Sequence, residues 1–337
     1  MNPSMWFASF WIFLVVLLAG CSGSNSDQDF FNGKLVTIIV PHAVGGGLDT
    51  YARAISPFLQ KYLPGSKVEV LNISEGSGIP GKNRIFAAQP DGLTLGFTTG
   101  AGALLTEWAG QPDVRYKTGE FSWIGRIKAE PHILVVSPQS GFTKLDDIIQ
   151  AKKIRMGFPG VGTDDYYVAL VIASLLNYQV EARTDYLSAS DVALACVKDE
   201  IDAIQFSTST ILPQIKAQTL VPIVSFGEVR QPGLPDVPTI QEVVPADKQK
   251  LIRALVQIYA LDRTMIAPPG MPAGRLKVLR TALDNVMADP EFQQNMVKIN
   301  RPVDYLTGAE TANLLANILS NGTQIKALVL QVAQNSK

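Results

Sequence analysis

The sequence predicts an α/β protein of two lobes, each built around a doubly wound sheet, with a ligand cleft between the lobes. Strands and helices alternate in two series, one before and one after Pro131, and no internal repeat interrupts them. The size agrees, because 337 residues, of which 47% are hydrophobic, suffice for two domains with separate cores.

The first series opens with Leu35–Val40, a continuous apolar run rich in β-branched residues that predicts a buried strand. Between Tyr51 and Tyr62, after three glycines, apolar residues recur at helical spacing and predict an amphipathic helix that ends before Pro64. A strand at 68–73, a short helix at 82–88 and a strand at 93–98 complete a β-α-β-α-β pattern.

The second series follows Pro131 and alternates in the same way before the chain becomes mainly helical. Its predicted strands are 133–136, 154–158, 180–184, 201–206 and 221–226, and its predicted helices are 143–150, 165–176 and 191–198. For the tail the pattern predicts a strand within 257–266 and helices at 273–287, 290–299 and 309–332. We therefore expect lobe 1 to comprise 34–131 plus 246–337, and lobe 2 to comprise 132–245.

The composition excludes several classes of function. The 29 basic and 30 acidic side chains give a net charge of −1, so the sequence shows no basic surface for nucleic acid. Two cysteines cannot form a disulfide framework, and two histidines offer little material for a metal cage, so we expect neither metal nor cofactor. Cys196 lies in an apolar helical stretch and is expected to be a buried small residue, not a nucleophile.

The first residues are typical of an export signal. Residues 5–19 form an apolar run that is short for a membrane span, and Leu18-Ala19-Gly20-Cys21 resembles the lipobox of bacterial lipoproteins. This resemblance implies a signal peptide at 1–20, lipid on Cys21, a flexible tether at 21–33, and a protein anchored to a membrane in the cell envelope, in the periplasm. Because no Lys or Arg precedes the apolar run, an uncleaved anchor remains the alternative.

The loop after the first predicted strand has the features of an anion site. Its three glycines let a ligand approach the backbone, and the helix start that follows offers free N–H groups and the positive end of the helix dipole. Asp49 is expected to cap that helix, with Arg53 as its i,i+4 partner. Thr50 stands where a G-x-G-x-x-G motif needs glycine, which excludes the dinucleotide motif. A glycine-rich turn without a ligand is the alternative.

Three more glycine-containing loops follow other predicted strands, at 75–81, 98–102 and 159–164. In the last of them, Thr163 or Asp164 can cap the next helix. Loops of this kind at the ends of four strands describe a cleft that holds an acid by backbone N–H and hydroxyl groups from both lobes.

Several short motifs occur in a fixed order over most of the chain. They are the Gly-Gly-Gly-x-Asp loop, Pro90-Asp91-Gly92, Phe121-Ser122-Trp123-Ile124-Gly125, Leu234-Pro235-Asp236-Val237-Pro238, Ala267-Pro268-Pro269-Gly270 and Asp289-Pro290-Glu291-Phe292. In this order they resemble the substrate-binding receptors of tripartite tricarboxylate transporters, the Bug family. The resemblance implies a type II periplasmic-binding-protein fold, no enzymatic activity, and a monomer that closes on one small carboxylate and delivers it to a two-subunit membrane permease.

The resemblance also implies which residues bind the ligand, partly through ordered waters, so that an arginine clamp is not needed. Those from lobe 1 are His42, Ala43, Val44, Gly45, Gly46, Ser77, Gly78, Thr99 and Gly100. Those from lobe 2 are Gly160, Val161, Gly162, Thr163, Tyr186, Ser188, Phe206 and Ser207.

Departures from the family pattern bear on the ligand. Members commonly carry an Asp-Asn pair where Phe206 and Ser207 stand, and a polar residue at Val161. The loss of that acidic position argues against an amino acid, whose ammonium group would need a carboxylate partner. Phe206 and Val161 make the distal pocket more apolar, so we expect an aromatic or aliphatic mono- or dicarboxylate in preference to citrate.

Five ring-bearing side chains each leave two interpretations open. His42 either donates to the ligand, with binding that depends on pH near neutrality, or packs against the cleft wall. Tyr166, Tyr167, Trp108 and Trp123 either stack on an aromatic ligand or, as we expect, pack in the core.

Two other functions are compatible with parts of the sequence. A sensor that docks on a receptor kinase would use the same cleft, and the sequence does not separate it from a transport receptor. A hydrolase would need Ser77 or Thr99 with His42 and Asp49 as nucleophile and base, but no Gly-x-Ser-x-Gly elbow is present. We therefore expect a binding protein without catalytic residues.

Overall fold

A computed structural model describes residues 25–335 of the chain. The predicted signal peptide, 1–20, and the predicted lipid acceptor Cys21 lie outside these residues. The predicted tether, 21–33, overlaps them, and there the chain is folded: Asn25–Asp29 form a short helix, α1, and Phe31 is completely buried. Phe31 packs in the apolar core beside the first sheet, because an aromatic ring gains free energy by leaving water. The folded body therefore begins before residue 34.

The strands of the described residues form two sheets. In chain order they are β1 Leu35–Val40, β2 Lys67–Asn72, β3 Thr94–Thr98, β4 Ser122–Arg126, β5 His132–Val136, β6 Lys153–Gly157, β7 Gln179–Arg183, β8 Ala203–Ser207, β9 Val221–Phe226, β10 Thr264–Ala267 and β11 Leu306–Thr307. The first sheet has the order β11-β4-β10-β3-β1-β2 and the second has the order β7-β6-β8-β5-β9.

Each sheet combines parallel and antiparallel pairs. β1 lies parallel between β2 and β3, with Ile38 aligned to both Val70 and Leu95, and β6 lies parallel to β7 and β8. β10 runs antiparallel to β3 and β4, and β5 runs antiparallel to β8 and β9. The parallel βαβ units confirm the predicted α/β class, and their strands end on the same edge of each sheet.

Helices cover the sheets and fill the space between them. After α1 they are α2 Gly47–Tyr62, α3 Ile79–Phe86, α4 Gly100–Trp108, α5 Leu145–Ala151, α6 Asp164–Leu176, α7 Ala189–Val197, α8 Thr208–Lys216, α9 Ile240–Val243, α10 Ala246–Ile258, α11 Ala273–Ala288, α12 Pro290–Lys298, α13 Gly308–Asn321 and α14 Thr323–Asn335. Within residues 25–335, none of them is long and apolar enough to cross a lipid bilayer.

The predicted strand within 257–266 is wrong over its first part. Residue 257 belongs to helix α10, and the strand of this region, β10, begins at Thr264. Ile252, Leu255 and Val256 are buried at helical spacing, so an amphipathic face continues to the end of the helix. The pattern also missed α4, whose apolar residues are buried on all sides and therefore show no helical period.

The single predicted helix 309–332 is two helices, α13 and α14, which meet at Gly322. A β-carbon at Gly322 would lie 2.5 Å from the ring of Trp108 and 2.6 Å from the carbonyl oxygen of Ile318. Glycine is therefore required where the chain turns closely over this ring.

One apolar core joins the helices between the two sheets. Leu105 of α4, Tyr167 of α6 and Val329 of α14 belong to the same buried cluster, and these three helices pack against one another. Trp108 and Trp123 also lie in this cluster, as do Tyr166 and Tyr167, so the expectation that these rings pack in the core is confirmed. Cys196 is fully buried in a separate cluster beside the second sheet, as expected of a structural cysteine.

The chain passes between the sheets twice, through residues 127–131 and again through residues 227–263. Strands of the first sheet thus come from both ends of the chain, and strands of the second come from its middle. The boundaries drawn above for lobe 1 and lobe 2 remain a prediction.

Candidate ligand cleft

A cavity of about 350 Å³ lies where loops from the two sheets meet. Its walls include segments that lie at or just after the carboxyl ends of β1, β6, β7 and β8. These segments are 41–48, 162–165, 187–190 and 206–207. Parallel strands bring their carboxyl-end loops to one edge of a sheet, and two such edges face each other across this space.

Most of the residues expected to bind the ligand line this cavity. They are His42, Ala43, Val44, Gly45, Gly46, Ser77, Thr99, Gly162, Thr163, Ser188, Phe206 and Ser207. The structure places the other five outside the lining: Gly78, Gly100, Gly160, Val161 and Tyr186.

Those five residues serve the backbone and the packing around the cavity. Gly78 has a φ of +72° and approaches Pro41 so closely that a side chain has no room, and Gly100 is buried against Leu261. A β-carbon at Gly160 would meet the hydroxyl of Ser77. Val161 is 43% exposed and is not among the residues that line the cavity, so the expectation that it makes the pocket apolar has no support here.

Tyr186 was also expected at the ligand, and it packs instead on the core of the second sheet. Its ring lies 3.1 Å from the position that a β-carbon would take at Gly157, at the end of β6. Its neighbour Leu187 lines the cavity, together with Ser188. The loop after β7 therefore reaches the cleft, but through the two residues that follow the tyrosine.

Asp49 fixes the conformation of the first glycine loop. Gly46 is the N-cap of α2, so Asp49 lies in the first turn and is not the cap that the sequence predicted. Its carboxylate accepts hydrogen bonds from the backbone of Gly45 (2.8 Å), from Arg53 Nε (3.0 Å) and from Asn72 Nδ2 (2.9 Å), which confirms the predicted pair with Arg53. Burial raises the pKa of Asp49, but the hydrogen bonds from Arg53, Gly45 and Asn72 outweigh it and lower the pKa.

His42 lies in the cavity wall, and its Nε2 atom is buried with no hydrogen-bond partner among the described residues. Burial, and the nearby charges of Lys82 and Arg263, lower the pKa of His42 to about 3. The ring is therefore neutral between pH 6 and 8. In the ligand-free protein, burial thus disfavours the charged ring, and a pH dependence of binding through His42 stays a prediction.

Sequence reasoning missed the charged residues of the cavity. They are Lys82, His132, Asp164, Asp165, Asp262, Arg263 and Arg301. A sequence signal for Lys82 does exist, because Ile79, Lys82 and Ile85 follow helical spacing and share the buried face of α3. A lysine on an apolar helix face indicates a buried charge.

Lys82 is the cation with the least compensation in this group. Its side chain is 2% exposed, and its one hydrogen bond to a described residue runs from Nζ to the carbonyl oxygen of Ser77, over 3.5 Å. Burial lowers the pKa of Lys82 to about 8, against which the charge of Asp164 acts in the opposite direction. At neutral pH the ammonium is mostly charged, and three donors face the cavity with a single long bond between them.

Arg263 is compensated by carboxylates. Its guanidinium binds Asp262, pairs with Glu130 at 3.0 Å, and donates to the Ser207 hydroxyl at 3.2 Å. The group also lies over the ring of Tyr51, at 5.1 Å from its centroid. These contacts fix Arg263 in place. Burial lowers the pKa of Arg263, but the charges of Asp262 and Glu130 outweigh this effect and raise the pKa.

Two consecutive acids open helix α6 at the cavity. The sequence predicts either Thr163 or Asp164 as the N-cap of this helix, and in the structure the N-cap is Thr163. Asp165 lies 2.5 Å from Nδ1 of His132, whose ring stacks on Tyr259 at 3.9 Å. Asp164 accepts a hydrogen bond from the hydroxyl of Thr99 at 3.2 Å. Burial raises the pKa of both aspartates.

These acids change the argument about the ligand. Because Phe206 replaces an acidic residue, the sequence predicts that an amino acid does not bind, since its ammonium group would lack a carboxylate. The structure brings the carboxyl groups of Asp164 and Asp165 to the same cavity from the start of α6, so the residue at 206 does not by itself exclude an amino acid.

Hydrogen bonds across the cleft join segments that follow strands of the first sheet to the segment that follows β6 of the second sheet. The hydroxyl of Ser77 donates to the carbonyl oxygen of Val161 at 2.6 Å, and Thr106 Oγ1 lies 2.5 Å from the carbonyl oxygen of Gly162. With the Thr99 bond to Asp164, they hold the loop after β6 against α3 and α4. The described residues contain no group of His, Cys, Asp and Glu side chains that could hold a metal ion.

Comparison with known proteins gives a consistent set of relatives. A family model described as "Tripartite tricarboxylate transporter family receptor" matches residues 52–330, beginning inside α2 and after the first glycine loop. The "UPF0065 protein in tcbD-tcbE intergenic region" of Pseudomonas sp. (strain P51) is 23% identical over 317 residues, which cover 92% of this chain and 90% of that protein.

Solved structures share the fold at low sequence identity. MatC (Rpa3494) from Rhodopseudomonas palustris, with bound malate, is 20% identical with a TM-score of 0.70, over 88% of this chain and 99% of that chain. Rpa4515 of R. palustris, with adipate, is 19% identical with a TM-score of 0.70, over 89% and 97% of the two chains. These similarities extend over both sheets, so the two-lobed arrangement is shared as a whole.

Proposed function

This chain belongs to the tripartite tricarboxylate transporter family of receptors, which are solute-binding proteins and not enzymes, and we propose that it captures a small organic carboxylate in the cleft described above. It delivers this ligand, from the periplasmic side, to a two-subunit membrane permease. The protein acts as a monomer and is held at the membrane by lipid on Cys21.

The observation that carries the proposal is the buried ammonium group of Lys82 in the cavity wall. A buried charge without a partner is costly, and burial of Lys82 is compensated here by one long hydrogen bond. A ligand carboxylate would supply the missing counter-charge. The start of α2 adds N–H groups without helical partners at Gly47, and His42 adds an unpartnered ring nitrogen.

The lining favours a ligand with one or two carboxylates over citrate. Three lining cations, Lys82, Arg263 and Arg301, face three lining acids, Asp164, Asp165 and Asp262. A wall with balanced formal charge does not compensate three ligand carboxylates at once. Phe206 adds an apolar surface, which suits an aliphatic chain or an aromatic ring. The malate of MatC and the adipate of Rpa4515 are carboxylates of this size.

Closure supplies the signal that a permease can recognise. A ligand that contacts both lobes binds the closed form better than the open form and shifts the population toward it. The crossings at 127–131 and 227–263 are the segments in which such a hinge can act.

The first test is ligand-induced stabilisation of the full-length chain in detergent, against carboxylates, amino acids and sugars. Stabilisation follows RT ln(1 + [L]/Kd), so a ligand present at about 100 times its Kd adds roughly 2.7 kcal/mol. We expect carboxylates with one or two acid groups to raise the melting temperature most. Citrate as the tightest ligand would overturn the ligand class, and binding of sugars alone would overturn the proposal.

Variants connect the binding to Lys82. Lys82→Met removes the charge at similar length and is expected to weaken carboxylate binding about tenfold or more, since hydrogen bonds to charged groups are worth about 1.5–3 kcal/mol. Lys250→Met, at an exposed position of α10, is the matched control and should leave the affinity unchanged. Equal affinity in the Lys82 variant and the wild type would remove the basis of the proposed anion site.

A further inference from the structure

Asp164 is a second buried ionisable group of the cavity without an ion-pair partner among the described residues. Its residue is 6% exposed, and the hydroxyl of Thr99 donates to its Oδ2 atom at 3.2 Å. No Lys, Arg or His nitrogen of the described residues is in ion-pair contact with it, whereas its neighbour Asp165 is engaged by His132 at 2.5 Å. A buried carboxylate without an ion pair is a strong hydrogen-bond acceptor, and a donor group on a ligand would stabilise it.

Lys82 and Asp164 reach the cavity from segments of different sheets. Lys82 lies on α3, which follows β2 of the first sheet, and Asp164 begins α6, which follows β6 of the second. They are near enough for the charge of Asp164 to act on the ammonium of Lys82, yet they form no ion pair. The cavity therefore has a positive and a negative pole, which come from different sheets and form no ion pair with each other.

The groups around Lys82 favour an anion, whereas the groups around Asp164 do not. Beside Lys82 are the unpartnered Nε2 of His42 and the start of α2, which suit an anion. Beside Asp164 lie the hydroxyl of Thr99, which donates to it, and the carboxylate of Asp165, whose negative charge opposes a further anion. A ligand with negative charge at both ends would satisfy the first pole and oppose the second.

We infer that the ligand is a carboxylic acid that carries a hydrogen-bond donor, a hydroxyl or an ammonium group, close to its carboxylate, with the carboxylate at Lys82 and the donor at Asp164. This inference rests on the proposed function and narrows its ligand class. Asp164 acts as the specificity-determining residue, and it selects donor-bearing acids over the matched acids without a donor.

The test uses sets of acids that differ only in the donor. One set is propanoate, 2-hydroxypropanoate, 3-hydroxypropanoate, alanine and β-alanine, and two larger sets repeat the 2-substitution on succinate and on 3-phenylpropanoate. Affinities for the full-length chain in detergent are measured by isothermal titration calorimetry. In at least one set a donor-bearing acid is expected to bind at least about tenfold more tightly than its parent, as a charge-assisted hydrogen bond provides. Hydroxyl and ammonium members of the set distinguish the two donors.

Asp164→Asn is the decisive variant. The amide keeps an acceptor oxygen for Thr99 but loses the charge, so the ratio between donor-bearing and parent acid is expected to fall below about threefold while the parent's affinity is retained. Asp146→Asn, an exposed carboxylate in the first turn of α5, is the control and should keep the full ratio. A purely structural role for Asp164 would weaken all acids equally and leave the ratio unchanged.

The outcomes separate this inference from the proposed function. A ratio that survives in Asp164→Asn overturns the inference alone, as does tight binding of the parent acids. If none of these sets binds while other carboxylates stabilise the protein, the inference is again overturned and the receptor function stands. If Lys82→Met binds all acids normally, the proposed anion site fails and the inference falls with it.

Discussion

Lys82 is a residue whose burial is explained by binding and not by stability. It occupies the position between Ile79 and Ile85 on the inner face of α3, where a leucine would pack without electrostatic cost. Burial opposes the charged form of Lys82 and lowers its pKa, whereas the charge of Asp164 favours that form. A charged residue kept in such a place lowers the stability of the ligand-free protein, which is a common property of binding sites.

We predict that Lys82→Met stabilises the ligand-free protein at pH 7. The folded pKa of Lys82 is about 8 against an ordinary value of 10.5, so between pH 8 and 10.5 the unfolded chain binds more protons at this residue. The wild type therefore gains stability relative to the variant as pH rises through this window, by on the order of 3 kcal/mol at most. Urea unfolding of both proteins at pH 7 and pH 10 measures the difference. A constant difference at the two values would contradict the assignment.

The junction of α13 and α14 shows how one residue shapes an element. The two helices run past Trp108 of α4, and α14 packs on both α4 and α6, which border the cleft. Gly322 allows the turn because its neighbours leave no space for a β-carbon. The apolar period across 309–332 is continuous, so the hydrophobic pattern alone does not show this break.

Gly322→Ala is expected to destabilise the fold despite the higher helix propensity of alanine. The new methyl group would lie 2.5 Å from the ring of Trp108, which is buried and cannot move aside freely. Overpacking of this kind costs about 1–3 kcal/mol, which exceeds the gain of up to about 1 kcal/mol in propensity. Thermal unfolding measures the loss. Gly233→Ala, where no atom lies within 4 Å of the added carbon, is the control and should melt near the wild type; an equal melting temperature for Gly322→Ala would refute the steric argument.

At the scale of the whole molecule, contacts across the cleft stabilise the closed form in the proposed mechanism. Thr106 of α4 is fully buried, and its hydroxyl reaches the carbonyl oxygens of Gly102 and Gly162. Gly162 belongs to the loop after β6, so this contact joins segments of the two sheets through a side chain that does not itself line the cavity. Because ligand binding requires contacts from both lobes, a weaker closed form reduces the apparent affinity.

We predict that Thr106→Val raises the Kd of every ligand about fivefold, because a lost hydrogen bond of about 1 kcal/mol disfavours closure. The effect should be the same for acids of different size, since the residue does not line the cavity. Isothermal titration calorimetry measures the change in Kd. The radius of gyration of the ligand-free protein, from X-ray scattering, measures the shift toward the open form.

Thr311→Val is the matched control for that experiment. Thr311 is a fully buried threonine of α13 whose hydroxyl bonds the carbonyl oxygen of Thr307 within its own helix start, at 2.8 Å. Its loss is expected to lower stability without changing affinity. An unchanged Kd in Thr106→Val, or an equal rise in both variants, would contradict a role for Thr106 in closure.

The sequence by itself determined the α/β class, most of the strands, the family and the loops that form the cleft. Apolar runs, glycine loops and ordered motifs are local signals, and Leu35–Val40 has the bounds that its pattern predicts. Local signals also predicted the pair of Asp49 with Arg53 and restricted the cap of α6 to Thr163 or Asp164, because these partners lie within one helical turn.

Only the tertiary structure decided the charge of the cleft. Lys82, Asp164 and Arg263 come from elements far apart in the chain, and their meeting depends on how α3, α6 and the start of β10 pack. Burial then sets their protonation, as it keeps His42 neutral, and no local pattern contains that information. The physical reason is that desolvation and charge pairing are properties of the assembled site, whereas periodicity is a property of each segment.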